Sequence, residues 1–225
     1  MIPDSADAEP VKADLQQLIQ RSGELTAQII SAWQSVERPN DPSSHAAEGL
    51  CSLAIEHAVA TQSLLGAFPA SAIALIRPQF ESLVRAVWAK HAASPSDLDR
   101  LIAPLSAQSQ QAAKKLPAVP EMLARLEERG PRGAAALLAK ARSRLGDGLN
   151  SFVHGGIHPF ARNRDGYPIS LLIDMQKNSN ALSFLTLIVL VEITLDPDVS
   201  AFMATLHQEF DDVLPALEPF DVPAA

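Results

Sequence analysis

Only one cysteine, Cys51, stands in the 225 residues, so no disulfide can close within the chain and a reducing compartment, the cytoplasm, fits best. Aromatic residues make up just 5% of the sequence, which leaves leucine, alanine, isoleucine and valine to supply the packing. Alternating β-branched residues, the mark of half-buried strands, are hard to find. There is no GxGxxG, no GxxxxGK[ST], no GxSxG, no HExxH and no CxxC, so no motif points to a dinucleotide or P-loop nucleotide site, a hydrolase elbow or zinc. The first residues are acidic, with no apolar stretch of the kind a secretory signal needs. The longest apolar run, Ala181 to Leu195, carries Glu192 and falls short of the roughly 20 residues that span a bilayer. It reads as a buried core helix, and no membrane association is expected.

What is present is 47% hydrophobic and 20% charged, enough apolar surface to build a core. Alanine and leucine lose little side-chain freedom in a helical turn. The expectation is therefore an all-α bundle of about seven to eight helices with short connections. A single domain is expected over residues 11–214, between a flexible acidic tail (1–10) and a second flexible tail (215–225).

Leu15, Leu18, Ile19, Leu25, Ile29 and Ile30 recur at helical spacing and predict a first helix from Val11 to Val36. Ser43 or Ser44 is expected to cap a second, reaching Leu65. A third, from Pro69 to Ala93, contains Pro78, where a kink or a fresh start is expected. A fourth covers Asp97 to Leu116, and a fifth Pro120 to Arg129. A sixth starts near Ala134, is weakened by Gly146 and Gly148, and resumes through Leu149 to His154. The stretch HGGIHPFARNRDGYP is rich in turn-forming residues and reads as irregular. A seventh helix spans Ile169 to Leu195 with a break near Asn178, and a last covers Val199 to Leu214.

The formal net charge is −8, which disfavours nucleic acid as a partner of the surface as a whole. The charge is uneven, however. From Gly130 to Arg164 there are six bases (Arg132, Lys140, Arg142, Arg144, Arg162, Arg164) against one acid, Asp147, whereas Asp196 to Asp221 holds seven acids and no lysine or arginine. Such asymmetry allows a basic site on an acidic protein; a solvated helix face is the plainer reading.

Two segments carry candidate chemistry. In RPQFESLVRAVWAKH, Arg77, Glu81, Arg85 and Trp88 fall at intervals of four, four and three, one stripe of a regular helix. They are either exposed helix ion pairs or a charged wall in which Glu81 aims two arginines at an anion. In LNSFVHGGIHPFARNR, His154 and His158 lie beside two glycines, Arg162 and Arg164. Two histidines alone do not make a zinc site, and neither a metal nor another cofactor is expected. Cys51 lies in an apolar helical stripe and reads as core.

The pairing of LIRPQFESLVRAVW with LNSFVHGG resembles an uncharacterised bacterial family of helical proteins that carry an R-x3-E-x3-R-x2-W helix and, about sixty residues on, an N-x3-H-G-G helix end. The resemblance covers roughly Ala70 to Arg164 and the apolar helix beyond. That family is in turn similar to HEPN domains, helical bundles often found as dimers, many of which are metal-independent ribonucleases of toxin–antitoxin and other defence systems. The resemblance implies His154 as the proton-transferring group, with Asn150 one turn before it. Leu149 occupies the place of the HEPN motif's arginine, so Arg77, Arg85 or Arg162 would have to supply the positive charge.

The implied function is an RNA- or nucleotide-interacting protein of a bacterial defence or toxin–antitoxin system, in its sharper form a metal-independent ribonuclease. His154, Arg77 and Arg85 would be its catalytic residues. Asn150, Glu81, Trp88, His158, Arg162 and Arg164 would contact substrate, and RNA, an antitoxin-like protein or a second copy of the chain would be its partners. Two other readings stand beside it: a non-catalytic dimerisation or partner-binding module in which the Arg/Glu/His cluster is structural, and a small-molecule enzyme using the same cleft.

Overall fold

Leu15, Leu18, Leu25, Ile29 and Trp33 are all buried, and the stripe they form lays the first helix, α1 (Ala8–Ser35), against the rest of the molecule. The computed structural model describes residues 8–37, 39–146 and 148–216. These form an all-α architecture with eleven α-helices and one 3₁₀ turn among the described residues, more and shorter helices than the sequence pattern suggests. Helix α1 begins at Ala8, inside the segment expected to be a tail; residues 1–7 and 217–225 of the two expected tails lie outside the described residues.

The centre is built from α1, α2 (Pro42–Leu64), α3 (Pro69–His91) and the long α10 (Ile169–Thr194). The most extensive pairing is between α2 and α3, joined by a short loop, while α10 packs on α1, α2 and α3. Smaller helices surround this core: α4 (Pro95–Ile102), α5 (Ala107–Ala113), α6 (Val119–Arg129), α7 (Ala134–Leu145), α8 (Gly148–Val153), α9 (Ile157–Asp165) and α11 (Pro197–Glu209), with the 3₁₀ turn Asp211–Val213 behind α11.

Several local expectations are corrected. Helix α2 is capped by Asp41, not Ser43 or Ser44: its carboxylate accepts from Ser44 N at 3.0 Å and from the Ser43 hydroxyl at 2.6 Å, with Pro42 in the first turn. Those hydrogen bonds, Ser43's first, hold the Asp41 carboxyl well below the usual carboxylate range. Helix α3 runs through Pro78 as one element. The expected fourth helix is two, because Ala103 before Pro104 turns extended; Ser106 then opens α5 through a reciprocal cap with Ser109. The segment expected to be irregular contains α9. Its Pro159 falls in the first turn, where the missing N–H has no intrahelical partner to lose.

Helix α10 does not break at Asn178. The polar run that suggests a break is instead engaged across helices. Gln79 Nε2 donates to Ser179 O at 2.9 Å and Ser179 Oγ to Gln79 Oε1 at 2.7 Å, locking α3 on α10. Asn180 Nδ2 donates to Ser22 Oγ at 2.8 Å and to Val213 O at 2.9 Å, tying α10 to α1 and the 3₁₀ turn. Polar groups buried with their partners fix which helix faces meet; left alone they would each cost about 1–3 kcal/mol.

Buried Asp97 plays a similar part at the edge of the core. It joins α4 to α6, accepting from Arg100 Nη1 at 2.9 Å and from Arg125 Nη1 at 3.0 Å. Burial pushes this carboxyl upward, but the hydrogen bonds from Ser94 and Arg125 outweigh it and hold the group below its ordinary value. A lowered folded value means that the stabilisation is fully present above the unfolded value, about 3.9, and is lost as pH falls through the folded one. Asp97→Asn should therefore lower stability by about 1–3 kcal/mol at pH 7. In urea titrations the gap between variant and parent should narrow as the buffer is taken from pH 7 to pH 3.5.

Candidate functional site

Helix α8 is short and lies on α3, with Leu149 turned into the core. The glycines on either side of this region have distinct local causes. Gly146 closes α7 at φ 66°, and Gly155 follows α8 at φ 63°, both in the left-handed region. At Gly156 a Cβ would stand 2.6 Å from Ser151 Oγ, so only glycine allows the close turn in which Gly156 N donates to Ser151 O and His158 N to Ser151 Oγ. The HGG sequence is thus explained by the chain reversal from α8 into α9.

This arrangement brings Asn150 to Arg77. The Arg77 guanidinium donates through Nη1 to Asn150 Oδ1 and through Nε to Glu81 Oε1 at 2.8 Å. Both members of the ion pair keep about a third of their side-chain surface in solvent (35% and 34%). They open onto a hollow of about 240 Å³ between α3, α6, α7 and α8, which Arg142, Phe80, Leu149 and Asn150 also line. Two segments some seventy residues apart therefore meet, with two guanidiniums and one carboxylate around a shallow space. Arg142 is the member that periodicity did not single out. It sits on the exposed side of α7, and its only signal in the sequence is membership of the basic stretch.

The remaining expected residues fall elsewhere. Trp88 is fully buried in the core, with its indole N–H unpartnered among the described residues, and cannot touch a substrate. Arg85 is partly buried, its Nε out of water and without an acceptor among the described residues, and it does not line the hollow. His154 is exposed one turn beyond Asn150, its backbone N–H donating to Asn150 O at 3.2 Å; it stands outside the lining of the hollow. His158 is exposed and stacks on Phe152, with ring centroids 6.4 Å apart. Arg164 is held by Asp165 at 2.7 Å and lies over Phe160, and Arg162 is half-buried on the same helix, α9. Cys51 is buried, and burial pushes its thiol far above the ordinary range, as befits a core residue.

Among the described residues, no group of three His, Cys, Asp or Glu side chains is placed to hold a metal ion, and no helix is long and apolar enough to cross a membrane. The fold and this hollow define an all-α helical protein with a shallow space lined by Arg77, Glu81 and Arg142 at the junction of α3 and α8. The model of a family of unknown function, DUF6988, matches residues 51–216, and the chain belongs to that family. No curated protein and no solved structure matches it.

Proposed function

We propose that the hollow holds a phosphodiester of single-stranded RNA, and that the chain acts in the cytoplasm as a HEPN-like, metal-independent ribonuclease of a bacterial defence or toxin–antitoxin system. The observation that carries this reading is Arg77, fixed by Glu81 and Asn150 at the mouth of a hollow that Arg142 also lines. A guanidinium already oriented by a carboxylate and an amide needs little reorganisation to meet a second anion, and its planar fork suits phosphate. Leu149, at the place of the HEPN motif's arginine, lines the same hollow, so Arg77 and Arg142 supply there the charge that the motif would bring.

His154 gives the reading its chemistry. It follows the end of α8, four residues beyond Asn150, with its backbone N–H bonded to Asn150 O. In the proposed reaction the 2′-oxygen of the ribose attacks phosphorus and the bond to the 5′-oxygen breaks. One proton passes from the 2′-hydroxyl through the imidazole to the leaving 5′-oxygen. The products are a 2′,3′-cyclic phosphate and a 5′-hydroxyl end, with the developing phosphorane charge met by the arginines. No step needs a metal. The test is incubation of end-labelled single-stranded RNA with the purified chain in EDTA. Fragments ending in cyclic phosphate are expected; intact RNA after long incubation would remove the cleavage claim, and absence of RNA binding would remove the whole reading.

A second copy of the chain is the partner this surface favours. Exposed Val153, Ile157 (74%) and Phe160 (65%) stand beside His154 on α8 and α9, an apolar cluster of the kind that marks an interface. Light scattering should report a dimer for the parent chain and a monomer for the double variant Ile157→Asp, Phe160→Asp; a parent monomer would contradict this assignment.

A non-catalytic reading has its own support. Arg77, Glu81 and Asn150 satisfy one another, and by doing so latch α8 onto α3. In that case the cluster is structural polar glue in a dimerisation or partner-binding module. Arg77→Gln would then lower the melting temperature without changing RNA binding.

A further inference from the structure

Helices α3 and α10 run parallel: Gln79 bonds Ser179, and further along both helices His91 comes to face Glu192. Between these helix ends and α7 lies a hollow of about 360 Å³ that shares no lining residue with the Arg77 hollow. Its floor is aliphatic. Leu83 and Val87 come from α3, Leu185 and Ile188 from α10, and Leu137 and Leu138 from α7. Three ionisable side chains complete the lining: His91 at the end of α3, Glu192 in the last turn of α10, and Arg132 in the turn between α6 and α7.

None of the three makes a hydrogen bond or a direct ion pair among the described residues. His91 and Glu192 are nevertheless partly buried, and Arg132 is exposed. Partly buried charges elsewhere in the chain are paired, as Arg77 is with Glu81 and Arg125 with Asp97. Lys90, next to His91 in sequence, is turned to α2, where it donates to Ser44 Oγ at 2.7 Å, and it does not line the hollow.

The arrangement of polarity favours two charges on one ligand. Both α3 and α10 end at this level, so the negative ends of two helix dipoles lie on the side of the Glu192 carboxylate. Burial lowers the His91 imidazole below its ordinary value, against the upward pull of Glu192, so at pH 7 it is neutral and offers an acceptor. That side suits an ammonium. Arg132 reaches the hollow from a third element and suits a carboxylate. An apolar pocket with a few polar groups that fix orientation is the usual form of a small-molecule site.

We propose that this hollow binds a free α-amino acid with a large apolar side chain. The ammonium donates to Glu192 and to the imidazole of His91, and Arg132 donates to the carboxylate. The side chain lies on Leu83, Val87, Leu185 and Ile188. This site is separate from the RNA reading and stands or falls without it.

The test is calorimetric titration of the full chain at pH 7 with L-leucine, L-isoleucine, L-methionine and L-phenylalanine, beside glycine. Saturable binding of at least one of the four at one site per chain is expected, with no binding of glycine. For the amino acid that binds, the analogue lacking the carboxylate and the analogue lacking the ammonium (2-phenylethylamine and 3-phenylpropanoate for phenylalanine) should each bind about tenfold more weakly or worse, a ratio worth ~1.4 kcal/mol. Glu192→Gln and Arg132→Gln, neither at a fully buried position, should each weaken the amino acid about tenfold while circular dichroism remains helical. Glu192→Gln should leave the affinity for the analogue without an ammonium unchanged, which a merely loosened fold would not. No saturable site for any of the four, equal binding of either analogue, or parent-like affinity in Glu192→Gln would each overturn the proposal.

Discussion

His154→Ala is expected to slow cleavage of single-stranded RNA by about 10²-fold or more, the range for losing a general acid–base group, while RNA affinity changes little. The asymmetry follows from where the residues sit. His154 is exposed beyond the hollow and makes no side-chain hydrogen bond among the described residues, so its loss disturbs neither the fold nor the phosphate contacts. Arg77 sits in the hollow and is fixed from two sides, so Arg77→Gln should reduce binding and cleavage together. Rates under single-turnover conditions, beside affinities from fluorescence anisotropy, separate the two effects. Equal loss of affinity in both variants would place His154 in binding; parent-like cleavage in His154→Ala would remove it from the chemistry.

The largest expected loss of stability belongs to Trp88. Its side chain is among the largest that are fully buried, and Trp88→Ala should cost about 3–5 kcal/mol. For a chain of this length that corresponds to a fall in melting temperature of about 10 °C. Trp88→Phe is the informative companion, because it keeps most of the apolar volume and deletes an indole N–H that has no partner among the described residues. Its cost should be about 1 kcal/mol, within the range for conservative core changes. RNA binding should be the same in the parent and in Trp88→Phe, since the indole reaches no solvent. A selective loss of binding in a fully folded Trp88→Phe would contradict its assignment to the core.

The place of Trp88 shows how far periodicity carries. The intervals of four, four and three do put Arg77, Glu81, Arg85 and Trp88 on one stripe of α3, and the helix is unbroken. A stripe is a line on a cylinder, however, and this one runs from the protein's edge into its interior. Arg77 and Glu81 reach solvent, Arg85 is partly buried and Trp88 is enclosed. Nothing in the spacing marks where the line passes under neighbouring helices. Arg142 shows the converse: it reaches the hollow because the chain reverses at Gly146, and no local pattern on α7 signals that meeting.

The misread elements have equally local reasons. Helix α9 hides behind Gly155, Gly156 and Pro159, each of which disfavours a helix interior, but here the glycines lie outside it and the proline falls in its first turn. The polar run in α10 suggests a break because Gln176, Asn178, Ser179 and Asn180 look like loop residues. Three of them are held by hydrogen bonds within the core, and the fourth, Asn178, lines a hollow between α7 and α10. The all-helical class itself was legible, because alanine- and leucine-rich stripes at helical spacing recur from α1 to α10 and need no tertiary information.

The central claim is that the Arg77 hollow receives an RNA phosphate, and the most direct measurement is the anisotropy of a fluorescent single-stranded RNA titrated with the full chain at several salt concentrations, for the parent and for Arg77→Gln. The account predicts weaker binding for Arg77→Gln at every salt concentration, with a log–log salt slope shallower by about 0.7, the value for one phosphate contact on a single strand. Superimposable affinities and slopes for the two proteins would contradict it.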